Sequence, residues 1–365
     1  MSDKQCLVIT DVHPVTGCKG GVEYLFNSQL YPALKEAGYK VRLWLVKPNE
    51  YKPHGRKEAY NTEWDAVIVL KESSLFMNLA LNCTAKVKVA FFNTDIKLAG
   101  WNGRENEEEL TSLLSVFDKV YCPTQASKQS LLDCLECELP ALTNVDVFTP
   151  SIPKEFLNSD DKYINDAYCA KNTNKFNLLM VGNYRREKFI PQTIRALHPL
   201  LATGKYHLTI IGGHSESDKL TKEIQAYAAA FPEHITLTGE LSQQKVAEYM
   251  RTSQILLNAS PYESFSLVIR QALYSGLPVL TVYTPGIVEN IYDYTVRPSS
   301  LVVPNLDFFV PILTTLFDLQ GYSLDKIRCE LRILARLGHP FKVEKKSKQD
   351  CDNFIKLLDR ADKFC

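Results

Sequence analysis

Residues 255–283 constrain the fold more than any other part of the 365-residue chain. They open with the short apolar run 255–257, which has the length of a buried strand. A helical pattern of apolar residues follows over 265–273, and Gly276 with Pro278 then ends the helix. The apolar run 279–283 completes a strand–helix–strand unit, which predicts a parallel sheet.

Glu263 stands where the first of these strands ends and the helix begins. Open parallel sheets bind ligands at the carboxyl ends of their strands, and free amides at a helix N-terminus attract phosphate. The amides of residues 265–267 would hold a phosphate while Glu263 accepts hydrogen bonds from sugar hydroxyls. Gln271 lies ~12 Å further along the helix, a reach that suits the ribose of the same nucleotide-sugar. Taken alone, the stretch favours the simpler interpretation of Glu263 as a helix N-cap.

The stretch also resembles the signature of retaining glycosyltransferases with the two-domain GT-B fold. In that signature a Glu is followed, after seven residues, by a second Glu and by Ala-hydrophobic-x-Gly-hydrophobic-Pro-Val. Glu263 fills the first position, Gln271 replaces the second Glu, and the other matches are Ala272, Gly276, Pro278 and Val279. The resemblance implies that Glu263 contacts the donor hexose. It implies that Gln271 contacts the ribose, here through an amide without charge.

Two loops in the first half of the chain correspond to family elements: one resembles its counterpart and the other departs from it. Gly20 and Gly21 stand in a strand-to-helix turn, and the turn is similar to the family's Gly-Gly-x-Glu element, whose glycine amides face the donor diphosphate. The loop after the fourth predicted strand carries a histidine near the donor sugar in many family members, and here it contains Asn93 and Asp95. Asp95 is therefore a candidate for a sugar hydroxyl, and a helix-capping role is equally expected.

A basic turn follows the strand predicted at 176–182. Gly182 ends the strand, and Arg185, Arg186 and Lys188 come directly after it. Arginine offers a fork to two phosphate oxygens and lysine a point charge, so this turn is a candidate diphosphate site; it is also typical of a solvated surface turn. In the family an Arg follows the Gly, whereas Asn183 does here. Arg185 or Arg186 would then substitute for it.

Strand and helix patterns alternate along the remaining sequence, which predicts an α/β chain of two Rossmann-like doubly wound domains facing a cleft. The predicted domains are an N-terminal acceptor-side domain at 1–150, a linker at 151–175 and a nucleotide-sugar-binding domain at 176–335. Helices at 336–365 complete the chain, with a return to the N-terminal domain left open. The resemblance is strongest over residues 176–292 and fades beyond 300.

Composition limits the classes of partner. Lys plus Arg equals Asp plus Glu at 42 each, so no global field favours nucleic acid or a membrane surface. The basic cluster 342–348 allows at most peripheral membrane contact and is more typical of a solvated helix face. Ten scattered cysteines without a secretion signal predict reduced thiols and a cytoplasmic protein.

The resemblance implies an enzyme, a hexosyltransferase that moves a hexose from a UDP- or GDP-linked donor to a hydroxyl acceptor such as a growing glycan. Retention of configuration, no metal and no cofactor are implied. The implied catalytic residues are Lys188, Arg185, Arg186, Glu263 and Asp95. The implied donor-binding residues are Gly20, Gly21, Gly182, Gly239, Glu240, Ser264, Phe265, Ser266, Leu267 and Gln271.

Two other functions are compatible with the sequence. A nucleotide-sugar epimerase or hydrolase would share the fold but needs an acid/base pair that the sequence does not identify. A non-catalytic nucleotide-sugar- or glycan-binding subunit is favoured by three departures from the family at donor-site positions: Asn183, Gln271 and Pro285.

Overall fold

The chain folds into two compact units in the computed structural model. The first unit comprises Met1–Ser151 and Val343–Cys365, and the second comprises Ile152–Lys342. The structure describes residues 4–11, 21–46, 56–72, 74–93, 110–112, 114–135, 144–156, 175–213, 217–292, 300–318 and 339–360. Within the span predicted as a linker, residues 152–156 are described and belong to the second unit.

The first unit contains a six-stranded, fully parallel sheet. Its strands are β1 (Lys4–Thr10), β2 (Tyr39–Leu45), β3 (Trp64–Val69), β4 (Ala85–Phe91), β5 (Lys119–Cys122) and β6 (Val145–Val147), in the order β2-β1-β3-β4-β5-β6. Its helices are α1 (Gly21–Leu25), α2 (Tyr31–Glu36), α3 (Arg56–Asn61), α4 (Ser74–Leu81) and α5 (Gln125–Asp133), with a π-helical segment, Phe26–Leu30, between α1 and α2.

Both faces of this sheet are buried. In β1, Leu7 and Ile9 pack into one hydrophobic cluster, while Cys6 and Val8 pack into another. Successive side chains of a strand point to opposite faces, so the two clusters lie on the two sides of the sheet. A strand covered on both faces has a continuous apolar sequence, which is why such runs predicted the strands correctly.

The second unit contains a second six-stranded parallel sheet. Its strands are β7 (Phe176–Val181), β8 (Tyr206–Ile211), β9 (Ile235–Gly239), β10 (Ile255–Asn258), β11 (Val279–Val282) and β12 (Ser300–Val303), in the order β12-β11-β10-β7-β8-β9. Its helices are α6 (Ile190–Leu201), α7 (Asp218–Ala230), α8 (Gln243–Thr252), α9 (Leu267–Tyr274), α10 (Pro285–Tyr292) and α11 (Phe309–Asp318). The predicted fold class, two doubly wound α/β units, is confirmed.

The last helix, α12 (His339–Arg360), packs on the first unit through its C-terminal part. Phe354 is fully buried, with its ring centroid 5.9 Å from that of Phe91 and 6.3 Å from that of Phe148. Asp350 accepts a hydrogen bond of 2.9 Å from the Thr149 amide. Within the described part of the chain, no helix combines the length and hydropathy needed to cross a bilayer.

Candidate active site

The candidate site lies where the connections of the second sheet change direction. Strands β7 and β10 are neighbours, yet the chain runs from β7 to β8 on one side and from β10 to β11 on the other. Doubly wound sheets bind ligands at this switch point, at the carboxyl ends of the strands. Lys188 follows β7 and Glu263 follows β10, and the Lys188 Nζ lies 2.8 Å from the Glu263 Oε2.

This ion pair is partly shielded from water. The Lys188 side chain is 28% exposed and the Glu263 side chain 12% exposed. Sequence reasoning selected both residues for different parts of one donor molecule. The contact between Lys188 and Glu263, which are 75 residues apart, brings the basic turn and the loop that carries Glu263 into a single site.

A short turn with an unusual backbone holds Lys188 in place. The 3-10 helix Arg186–Lys188 ends at Phe189, whose φ of 52° is left-handed and is the only positive φ among the described non-glycine residues. A non-glycine residue in this conformation costs about 1–3 kcal/mol, and such strain tends to cluster at functional sites. The stem of Lys188 lies over Gly182, where an added Cβ would be 3.8 Å from it.

The two arginines of the basic turn lie at the protein surface. Arg185 and Arg186 are both exposed, and an Arg185 Nη1 lies 3.8 Å from the Glu187 carboxylate. Among the three cations of this turn, Lys188 is the one that the structure places against Glu263. The role of Arg185 or Arg186 in binding phosphate stays a prediction.

The loop around Glu263 is fixed by the segment after β11. The Thr284 Oγ1 donates to the Glu263 carbonyl at 2.9 Å. Gly286 approaches so closely that an added Cβ would lie 2.6 Å from the Ser264 carbonyl carbon. The N-cap of α9 is Ser266, which accepts from the Ile269 amide, so the interpretation of Glu263 as that cap is wrong. Its carboxylate is used in the pair with Lys188 instead.

Gln271 is buried and meets a partner that sequence reasoning missed. It is 4% exposed, and its Nε2 donates to the Gln243 Oε1 at 3.4 Å. Gln243 is the first residue of α8, just after the predicted donor-binding residues Gly239 and Glu240. The contact therefore joins the predicted ribose position to the segment that follows Gly239 and Glu240. A polar residue at the start of a helix gave no signal of this pairing.

The remaining predicted donor-binding residues of this unit surround α9. Ser264 and Ser266 are buried, and the Phe265 ring lies 4.5 Å from the buried Arg270 guanidinium. Leu267 is the first residue of α9, so its amide lies at the helix N-terminus. These residues follow Glu263 directly in the chain and lead into the first turn of α9.

The first unit brings together a different set of polar residues. Gly21 begins α1, while Gly20 and Asp95 lie outside the described residues. The carboxylate of Glu72, which is only 7% exposed, accepts from the Asn93 amide at 2.8 Å. Sequence reasoning missed Glu72, because its partner is 21 residues away in a loop that gave no charge pattern.

A sequence comparison finds a family similar to most of the second unit. The model of the family described as glycosyl transferases group 1 matches residues 164–305. The Alpha-1,3/1,6-mannosyltransferase ALG2 of Kluyveromyces lactis is 22% identical over 215 residues, which cover 51% of this chain and 39% of that protein. The match thus spans about two fifths of that relative's length.

Solved structures of similar fold cover nearly the whole chain. Sucrose-phosphate synthase from Thermosynechococcus elongatus has a TM-score of 0.75 at 14% identity, over 98% of this chain and 100% of that one. Anabaena Alr3699/HepE, in complex with UDP and glucose, has a TM-score of 0.67 at 12% identity, over 96% and 98%. These likenesses show the GT-B fold. In sequence, residues 164–305 of this chain are similar to the glycosyl transferases group 1 family.

Proposed function

We propose that this protein transfers a hexose from a nucleotide-sugar to a hydroxyl acceptor, with retention of anomeric configuration and without a metal ion. The observation that carries the proposal is the Lys188–Glu263 pair, because it places one cation and one carboxylate at the ligand-binding edge of the sheet. Both residues lie inside the segment that matches the family.

The chemistry follows from the charges that change during transfer. The bond between the sugar C1 and the diphosphate breaks, and a bond forms between C1 and the acceptor oxygen. Retention follows if the acceptor attacks from the side of the leaving group and gives its proton to a phosphate oxygen. Negative charge grows on the diphosphate, and the Lys188 ammonium with the amides at the start of α9 would stabilise it.

Glu263 has a positioning role in this scheme. A lysine ammonium has three N–H donors, so Lys188 can hold Glu263 with one of them and donate to phosphate with another. The second Glu263 oxygen would then accept from hydroxyls of the hexose. The pair links the position of the sugar to the position of the leaving group, which is the alignment that transfer requires.

The comparisons guide the choice of donor. The relative in Kluyveromyces is named for mannosyl transfer, and the Anabaena structure contains UDP and glucose. We therefore propose calorimetry with UDP-glucose, UDP-N-acetylglucosamine and GDP-mannose, followed by product analysis with any donor that binds. Binding of none of these donors would contradict the proposal. The predicted cytoplasmic location stays a prediction.

Two substitutions test the assigned roles. Lys188→Ala should lower turnover by ~10²–10³ with a smaller change in donor affinity, because Lys188 meets charge that grows in the transition state. Glu263→Ala should raise the donor KM and relax the choice of sugar, since its hydroxyl partners are already present in the ground state. Steady-state kinetics, with water as the fallback acceptor, measures both effects.

Matched controls come from α7, where Lys222 is exposed and Glu223 is half-buried. Lys222→Ala and Glu223→Ala should leave turnover and donor affinity unchanged. If the Lys188 and Glu263 variants behave like these controls, the assignment of this site is wrong.

A binding subunit without turnover is the second candidate, and the uncharged Gln271–Gln243 contact favours it. Such a protein would bind a nucleotide-sugar in calorimetry, and the wild type would give no product. Lys188→Ala and Glu263→Ala would then both weaken binding, with no turnover to separate them. A nucleotide-sugar epimerase or hydrolase would instead convert the donor without any added acceptor.

A further inference from the structure

Two exposed tyrosines flank the loop that carries Glu263. Tyr262 is 51% exposed and Tyr283 is 56% exposed. Tyr262 directly precedes Glu263, and Tyr283 directly precedes Thr284. The Thr284 Oγ1 donates a hydrogen bond to the Glu263 carbonyl. The two residues follow neighbouring strands, β10 and β11, at the same edge of the sheet. The fold therefore holds both tyrosines beside the candidate donor site.

We propose that Tyr262 and Tyr283 form an aromatic platform for a pyranose ring of the acceptor saccharide. This inference rests on the proposed function. A tyrosine ring offers a flat apolar face with a polar hydroxyl at its edge, and it loses little conformational freedom when it binds. A pyranose ring likewise has a face of C–H groups and a rim of hydroxyls. An exposed tyrosine beside the candidate donor site can therefore offer its ring face to the sugar and its hydroxyl to the rim.

The exposure of the side chains favours the acceptor, and not the donor, as the sugar that contacts the two tyrosines. The Glu263 side chain, assigned to the donor hexose, is 12% exposed, whereas both tyrosines are more than half exposed. The donor hexose therefore lies deeper than the platform. The tyrosines are the more exposed side chains, so a second saccharide can reach them while the donor occupies the deeper position. The platform would accordingly set acceptor affinity and leave the donor site intact.

Saturation-transfer NMR tests this inference without requiring turnover. The probes are methyl α-mannopyranoside, methyl α-glucopyranoside and maltose, each added to the full chain in the presence of UDP or GDP. We expect magnetic saturation to pass from aromatic protons of the protein to the C–H protons of one sugar face. Tyr262→Ala and Tyr283→Ala should each weaken binding roughly 5- to 10-fold, and Tyr→Phe at either position should retain it. If no probe sugar shows a saturation-transfer signal with the wild type, the proposed platform is wrong.

Donor measurements separate the platform from its alternatives. Affinity for the nucleotide-sugar, and its hydrolysis with water as acceptor, should be unchanged in Tyr262→Ala and Tyr283→Ala. A loss of nucleotide-sugar affinity relative to free nucleotide would place the tyrosines against the donor hexose and overturn the proposal.

Phe308→Ala is the matched control, because Phe308 is 46% exposed in a 3-10 turn that packs against α6 and α11. An equal loss of sugar binding in Phe308→Ala would also contradict the platform. A wild type that binds the sugars but never transfers would refute the proposed function alone.

Discussion

At the scale of single residues, the Lys188–Glu263 contact changes what each side chain is expected to do. Removal of either partner leaves the other charge partly buried and unneutralised, so each substitution has a cost beyond the contact itself. Because the pair is only partly shielded, that cost is reduced by solvent screening. The kinetic roles are therefore best separated by the ratio of turnover to KM and not by stability alone.

Gln271 is the residue at which the chain differs most informatively from the family pattern. Gln271→Glu should tighten nucleotide binding if residue 271 contacts ribose, since hydrogen bonds to a charged group are worth about 1.5–3 kcal/mol against about 1 for neutral ones. Burial of the new charge opposes this gain, and rotation of the Gln243 amide offsets part of the cost by offering a donor. Calorimetry with a nucleotide and its 2′-deoxy analogue measures the effect.

The comparison of nucleotides supplies the control. The gain should shrink with the deoxy analogue, and Gln243→Ala in the same background should remove part of it. Equal or weaker binding of both nucleotides by Gln271→Glu would mean that residue 271 does not contact the ribose.

The surroundings of Asp350 predict how the free energy of unfolding depends on pH. Burial raises the pKa of its carboxyl, and the hydrogen bond from the Thr149 amide opposes this rise. The folded protein therefore binds the proton more tightly than the unfolded chain does. The contribution of Asp350 to the free energy of unfolding is greatest below the unfolded pKa, and it falls as pH rises through the folded pKa.

Asp350→Asn removes this dependence, because the amide oxygen still accepts from Thr149 and carries no charge. We expect the variant to gain stability relative to wild type as pH rises from about 4 to 7. Urea unfolding at several pH values measures the difference. Asp352→Asn, at an exposed position two residues along, is the control. A difference that shrinks with rising pH would contradict the assignment.

At the scale of helices and strands, the elements predicted around the site are observed to within two residues. They are the strands predicted at 176–182, 255–257 and 279–283 and the helix predicted at 265–273. Strand β11 is observed at Val279–Val282, one residue shorter than predicted, and its apolar run is buried on both faces. Helix α9 starts at Leu267, two residues after the first apolar position of the predicted pattern, because the Ser266 hydroxyl caps it. The π-helical segment Phe26–Leu30 was not predicted. A one-residue bulge leaves the apolar pattern of a helix almost unchanged.

The pairings between elements were beyond the reach of sequence patterns. Glu263 and Lys188 were each selected from a local motif, whereas their contact depends on β7 and β10 being neighbours. Gln243 and Glu72 belong to no motif, and their partners are distant in sequence: Gln271 lies in helix α9 and Asn93 in the loop after β4. Local patterns thus find residues at strand ends, but the order of the strands decides which of them meet.

Gly286, in helix α10, lies close to the backbone of the loop that carries Glu263. This close approach leads to a prediction at the scale of helices and strands. A Cβ at this position would lie 2.8 Å from the Glu263 carbonyl oxygen as well as against Ser264. Gly286→Ala should therefore push the Glu263 loop away, at a cost of about 1–3 kcal/mol in unfolding free energy, and weaken donor binding. Denaturant unfolding and donor calorimetry measure the two effects.

The neighbouring residue provides the control for this variant. Pro285 is exposed at the start of the same helix, so Pro285→Ala changes the helix terminus without a clash. It should cost less than about 1 kcal/mol. Donor affinity that is equal in Pro285→Ala and Gly286→Ala would show that the close approach of Gly286 does not position the loop.

At the scale of the whole molecule, the two sheets reach doubly wound topology by different strand orders. The first, β2-β1-β3-β4-β5-β6, changes direction between β1 and β3, and the second changes direction between β7 and β10. Alternating strand and helix patterns predicted two such units because each pattern specifies a parallel sheet with covered faces. The strand order depends on long-range pairing, which leaves no periodic signal in the sequence.

The absence of net charge bears on the last prediction, that donor binding and turnover are independent of divalent metal. With 42 cationic and 42 acidic residues, the chain has no global field to attract a diphosphate. The charge must be balanced locally, and Lys188, with Arg185 and Arg186 in the same turn, supplies cations at the strand end. Among the described residues, no group of three His, Cys, Asp or Glu side chains is suited to hold a metal.

An acidic motif on α12 that suggests a metal makes a different contact in the structure. Asp350 and Asp352 are spaced like the Asp-x-Asp motif of the other glycosyltransferase fold, but they lie on α12, where Asp350 accepts from Thr149. We expect calorimetry and kinetics in excess chelator to give the same donor affinity and turnover as in manganese. Asp350→Asn should behave like wild type in both media. Activity that disappears in chelator and returns with manganese would show that a metal ion balances the diphosphate charge, and that the local cations do not suffice.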